Sequence, residues 1–108
     1  MAQQVENHGL IMQASHAATT ELSSSDFRMD ARVGKTQFWV RSTRGGTLKV
    51  YRYDAAGTAR LVHSATIAAN STGQEGAIYQ YRVARGYAGF TPADATSGTT
   101  EIEVDEGA

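Results

Sequence analysis

The tightest constraint on the fold is the stretch from residue 36 to residue 69, TQFWVRSTRGGTLKVYRYDAAGTARLVHSATIAA. Residues 36–43, 47–53 and 59–69 are rich in Thr, Val, Tyr, Phe and Trp, which suit a pleated, half-buried surface better than a helix. Arg44-Gly45-Gly46 and Ala55-Ala56-Gly57 interrupt them, and each fits a three-residue hairpin loop whose last glycine takes a positive φ. Asp54 stands where its carboxylate bonds forward to backbone N–H groups and fixes the second turn. The expectation is therefore a three-stranded antiparallel meander.

Loop length sets register, because a one-residue slip sends every side chain to the opposite face. Three-residue loops place Val40 beside Val50 and Val50 beside Val62, with Phe38 and Leu48 adjoining, as one aliphatic core face. A two-residue Gly45-Gly46 turn would instead group Phe38 and Val40 with Tyr51 and Tyr53. The first register leaves Trp39, Tyr51 and Leu61 in a row on the outer face, with Arg41, Lys49 and His63 in the next row.

The remainder carries the same strand grammar. Phe27, Met29, Ala31 and Val33 alternate with Arg28, Asp30 and Arg32, and Gly34-Lys35 turns the chain into the meander. Residues 77–84 alternate Tyr79, Tyr81 and Val83 with Gln80 and Arg82, Arg85-Gly86 reads as a break, and a short strand runs over 87–91. Pro92 at its end marks a sheet edge or a strand terminus. The last strand, 99–105, points Ile102 and Val104 inward and Glu101, Glu103 and Asp105 outward, where carboxylates discourage edge pairing or meet the arginines of 27–33.

About seven strands at spacings of roughly 8–12 residues, with no helical period, indicate an all-β chain forming a single antiparallel, jelly-roll-like β-sandwich. That domain covers residues 26–108. Residues 1–25 are polar, with only Val5, Leu10, Ile11, Met12 and Leu22 to anchor them, and read as a flexible N-terminal arm.

Composition narrows the function. A chain of 108 residues buries a modest core in one domain, and it has no cysteine for disulfides, thiolate metal sites or thiol nucleophiles. Ten Lys+Arg against 11 Asp+Glu give no reason to expect nucleic acid or an anionic membrane as a partner. Arg41, Lys49 and Arg52 near Trp39 and Tyr51 come closest to a nucleic-acid stripe, opposed by the acidic last strand. Residues 1–20 lack the basic start and apolar run of a secretory signal, so cytoplasmic synthesis is expected.

Motifs of chemistry are few. Gly34-Lys35-Thr36 ends like a phosphate-binding loop, but position 29 is Met and a strand follows, so it is a turn. Asn70-Ser71-Thr72 is an ordinary loop within the polar segment 70–76. His8, His16 and His63 have no nucleophile elbow to serve, and Asp26, Asp30, Asp54 and Asp94 are spread over separate turns and strands. No catalytic residue, cofactor or metal ligand is assigned, and an enzyme is not expected.

The aromatic row carries the functional expectation. An outward Trp beside a Tyr and an Arg has hot-spot composition, so Trp39, Arg41, Tyr51 and Leu61 are candidate protein-contact residues. The arm residues Leu10, Ile11 and Met12 join them as a segment able to dock on its own domain or a neighbouring subunit. The competing reading is that the arm or a long loop covers the row within the monomer.

The segments GTLKVYRYDAAGTARLVHSATIAANSTG and RGYAGFTPADATSGTTEIEVDE resemble the small β-sandwich virion proteins of tailed bacteriophages over roughly residues 36–106. The resemblance implies a capsid decoration or cementing protein, or another head- or tail-associated component. It also implies a location in the virion, a major capsid protein or other virion protein as partner, and a homo-oligomeric state. The alternative is a carbohydrate-binding or host-recognition module of a tail or fibre.

Overall fold

In the computed structural model, residues 5–29, 35–70 and 76–106 are described. They hold ten strands and no helix: β1 (Val5–Glu6), β2 (His8–His16), β3 (Leu22–Ser23), β4 (Phe27–Arg28), β5 (Thr36–Ser42), β6 (Gly46–Tyr53), β7 (Ala59–Ile67), β8 (Ala77–Tyr81), β9 (Arg85–Pro92) and β10 (Gly98–Glu106). Sheet I runs β1-β4-β9-β6-β7, with β3 also pairing β9, and sheet II runs β2-β10-β5-β8. Every pairing is antiparallel except β1 with β4.

The inward residues of both sheets share one core. Phe38, Val40, Ile102 and Val104 of sheet II meet Leu48, Val50, Ala88 and Phe90 of sheet I, all within 1% of full burial. Phe27 closes edge-to-face on Phe38, with ring centroids 5.3 Å apart. The set Phe38, Val40, Leu48 and Val50 is thus inward as the alternation demands, but its members face one another across the layers.

That geometry corrects the first hairpin. β5 and β6 are not paired; the connection between them carries the chain from sheet II to sheet I. Gly45 sits at φ 76°, its N–H donates to Ser42 Oγ at 3.1 Å, and a Cβ there would press within 2.8 Å of Ile67 O and Ala69 N. The positive φ thus falls on Gly45 and not on the expected last glycine, Gly46, which opens β6; a Gly-Gly pair serves a tight turn and a sheet-to-sheet crossover alike, so the loop residues alone do not separate them.

The second hairpin forms as expected. Gly57 takes φ 85°, its N–H donates to Asp54 O at 3.0 Å, and Asp54 Oδ1 accepts from the N–H groups of Ala56 and Thr58 at 3.0 and 2.9 Å. Its register is corrected by a bulge: Val50 pairs with His63 and Tyr51 with Leu61, so Val62 is extra and 38% exposed.

The N-terminal segment is corrected from arm to core. β2 runs antiparallel along β10 from His16↔Gly98 to His8↔Asp105, and Ile11 and Met12 are buried at 4% and 6%. A bulge at Ile102/Glu103 turns two successive β2 residues inward, which erases the alternation that announces a strand. Beyond β2, Ser24 completes the ladder: its N–H donates to Ala88 O, and its Oγ accepts from Ala88 N–H, both at 2.8 Å.

Three smaller expectations change. β10 lies inside sheet II, so its outward carboxylates do not guard an edge, and Glu101 meets Arg41 of β5 at 2.9 Å. Arg85-Gly86 opens β9 instead of breaking a strand, because the chain turns earlier, where Val83 N–H donates to Tyr81 O. Pro92 ends β9, a strand flanked on both sides, so it marks a terminus and not an edge. Phe27 and Met29 are buried and Arg28 exposed as expected, while Asp30, Ala31, Arg32, Val33 and Gly34 and residues 71–75 of the polar loop lie outside the described residues.

Candidate functional site

Pairing β5 into one sheet and β6 into the other splits the expected aromatic row. Trp39 and Arg41 stand on the outer face of sheet II, whereas Tyr51 and Leu61 stand on the outer face of sheet I. Ile11 and Met12 are core residues and leave the contact set. Leu10 remains outward, 43% exposed.

On sheet II the register assembles a new row, Leu10–Glu103–Trp39–Ile78, across all four strands. Ile78 is 61% exposed, and Trp39 is half-buried. The indole packs on Gly76, where a Cβ would collide with the ring. The Arg41 guanidinium lies 5.6 Å from the ring centroid and bonds Glu101 Oε1 at 2.9 Å, while Gln13 Nε2 donates to Glu101 Oε2 at 3.1 Å. These groups edge a depression of about 320 Å³ lined also by Ala14, Ser15, Thr99 and Thr100. The result is a row of outward apolar side chains, interrupted by Glu103, with a hydrogen-bonded polar margin.

On sheet I, Tyr51 and Tyr87 stack with centroids 4.7 Å apart, and Tyr53 tilts against Tyr87 at 5.9 Å. Tyr51 Oη donates to Glu21 Oε2 at 2.9 Å and Tyr53 Oη to Asp26 Oδ1 at 2.8 Å. Lys49 Nζ lies 3.5 Å from Glu21 Oε1. Desolvation, reinforced by these carboxylate bonds, pushes both phenols up to about 12. The N-terminal segment therefore does meet the Tyr51 part of the expected row, through Glu21, and leaves Leu61 55% exposed.

Several other polar residues have structural partners. His16 Nε2 lies 2.7 Å from Thr100 Oγ1, which donates to Ser42 Oγ at 2.9 Å, a hydroxyl chain tying β2, β10 and β5 together. His63 stacks on Tyr81 with centroids 4.1 Å apart and bridges the sheets at their β7/β8 edge. Asp94 accepts from Thr96 N–H at 2.9 Å and meets Arg44 at 3.2 Å; these contacts, the backbone bond first, hold its carboxyl below the usual carboxylate range. Asp54 is likewise lowered, chiefly by the Thr58 N–H. Among the described residues no three His, Asp or Glu side chains converge on a common point.

Ile78, Tyr87 and Glu21 belong to these faces but are not singled out by the sequence, whereas Glu103 is outward as expected. Ile78 shares the period of Gln80 and Arg82, so the alternation over 77–84 already places it outward; its apolar side chain is what kept it from notice. No family model, curated protein or solved structure matches the chain.

Proposed function

We propose that the chain is a virion structural protein, a capsid decoration or cementing protein that binds the assembled shell at inter-subunit junctions as a homo-oligomer. The observation that carries this reading is the order of the strands. With the short β1 and β3 set aside, the two sheets read β2-β10-β5-β8 and β4-β9-β6-β7, all antiparallel. Two facing four-stranded sheets of eight strands, in which the last strand lies inside one sheet, support a jelly-roll sandwich, an architecture of viral capsid and lectin domains. The step from architecture to role is by analogy, supported by the likeness to small phage virion proteins.

The protein-contact face in this reading is the outer surface of sheet II, with Trp39, Ile78 and Leu10 as apolar anchors and Arg41 at the margin. A Trp with adjoining aliphatics and a satisfied polar rim has the composition of an interface centre. The test is cosedimentation with assembled shells and with free capsid subunits of the encoding phage. Binding to shells alone is expected, weakened at least ~10-fold (about 1.4 kcal/mol) by Trp39→Ala. Absence of shell binding would refute the role.

A second reading draws on the depression lined by Gln13, Arg41 and Glu101, fixed donors and acceptors of which the Arg41 guanidinium lies 5.6 Å from the Trp39 ring centroid. That pairing suits a sugar ring, and the chain would then be a carbohydrate-binding or host-recognition module. Glycan binding that is lost in both Trp39→Ala and Glu101→Gln would favour it.

A further inference from the structure

The margins of the two sheets are not equally closed. Sheet I ends on one side in the two-residue strands β1 and β3, and on the other in β7, nine residues long. Sheet II ends in β8, of five residues, and in β2, whose Ile11 O already accepts the Ser25 N–H at 2.8 Å. Long edges are ordinarily blunted with charge, proline or cover, because their free backbone groups template another strand. β7 has no proline, and its stretch 61–67, LVHSATI, holds no Lys, Arg, Asp or Glu.

Register shows which groups of β7 are free. Ala93 N–H donates to Gly45 O at 3.0 Å, one rung beyond the Gly46↔Pro92 pair. Bonded and non-bonded pairs alternate along an antiparallel ladder, so Thr47 and Lys49 also bond toward β9, and Gly46, Leu48 and Val50 bond toward β7. Their partners Ile67, Ala65 and His63 spend their backbone groups on β6, and Ser64 and Thr66 point theirs to the open side. Tyr79 Oη agrees with this, since it reaches Thr66 O at 3.3 Å and leaves the second lone pair of that carbonyl. Among the described residues no backbone group bonds the open side of 63–67, and the side chains of Ser64 and Thr66 are exposed.

We infer that the open side of β7 pairs with β7 of a second copy of this chain, antiparallel about a two-fold axis at Ala65. Ser64 of each copy then faces Thr66 of the other, and the two reciprocal pairs exchange four N–H···O=C bonds. This register suits a second copy for three reasons. It satisfies both free residues with each other, sets hydroxyl opposite hydroxyl with no like charges facing, and stays clear of the extra residue Val62, which breaks the ladder beyond His63. The contact is isologous, so it closes as a dimer and joins two copies of sheet I into one continuous sheet. The inference deepens the homo-oligomeric part of the proposed role, on which it rests, by naming the surface through which copies meet. A ladder of four bonds is a small contact, so association should rise steeply with concentration.

The test is sedimentation velocity on the full chain over a concentration series, with the variant Ser64→Pro. Proline removes an N–H that faces away from β6, so the ladder within the chain is spared while the incoming strand loses a donor. Wild type should form dimers, and Ser64→Pro should weaken them at least ~10-fold. Circular dichroism checks folding; where the proline variant does not fold, S64K/T66K takes its place, setting like charges opposite, and an equimolar mixture with S64E/T66E should dimerise again. A second readout uses the absence of cysteine from the chain. Ala65→Cys places a single thiol on the axis, where facing Cβ atoms lie about 4.5–5.5 Å apart, near disulfide range. It should crosslink on mild oxidation much faster than Leu61→Cys, which is exposed but off the axis.

A wild-type monomer throughout the series, dimers indifferent to the folded variants, or equal crosslinking of the two cysteine variants overturns the inference. So does a monomer whose cosedimentation with shells is lost in Ser64→Pro, since β7 would then add to a strand of the shell. A monomer that binds shells with or without the proline refutes self-pairing and leaves the decoration role standing. Dimers that Ser64→Pro dissociates, but that never bind shells, support the pairing and refute the role.

Discussion

Replacing Ile11 with alanine separates a docked strand from a loose leader. Ile11 is 4% exposed, on a strand that pairs with β10 along its length and belongs to the shared core. The substitution removes three carbons, which at about 0.8 kcal/mol each is about 2.4 kcal/mol of lost transfer energy. Incomplete collapse around the cavity raises this into the ~2–5 kcal/mol range of buried Ile-to-Ala changes. A single domain has roughly 5–15 kcal/mol in hand, so the loss is a large fraction. At roughly 4–8 °C per kcal/mol, the melting temperature should fall by about 10–20 °C. Urea unfolding provides the assay, with a lower midpoint at an unchanged slope marking a pure stability effect. Ser15→Ala, at an exposed position of the same strand, is the control and should stay within ~0.5 kcal/mol. If Ile11→Ala also stays within ~0.5 kcal/mol, β2 contributes nothing to the fold and the reasoning fails.

Ser24→Ala leaves the buried Ala88 N–H without an acceptor and should cost ~1–3 kcal/mol, read by the same unfolding curves. Gly57→Ala should cost ~1–2 kcal/mol through its left-handed backbone alone, since open space surrounds it, and Gly57→Asn should cost less. Tyr51 and Tyr53 ionise near 12 in the folded chain against 10 for a free phenol. The folded state therefore holds these protons more tightly, so the stability they contribute is fully present below pH 10 and is lost as pH rises toward 12. Ultraviolet titration should show Tyr51 and Tyr53 as late phenols, with Tyr81 also raised by burial, and Glu21→Gln should move Tyr51 back toward 10. Trp39→Ala should leave the melting temperature much less changed than Ile11→Ala while weakening partner binding, because the indole packs on the outer face and not in the shared core.

Local chemistry already determines a good deal of this protein. Alternation puts Phe38, Val40, Leu48, Val50, Ile102 and Val104 inward, and Asp54 with Gly57 specifies one hairpin, because period and turn geometry act within a few residues. Strand class follows from the same short-range preferences. Which strand lies beside which is decided only by tertiary structure, since ladder hydrogen bonds come from a backbone common to every residue. Val40 and Val50 would be inward in a hairpin or across two layers alike, yet only the second arrangement sends Trp39 and Tyr51 to opposite surfaces. The bulge at Ile102/Glu103 is equally non-local: it buries Ile11 and Met12 together and turns an apparently aimless leader into a core strand. The Arg28–Arg85 pair likewise exists only through register, which joins the two across 57 residues of chain.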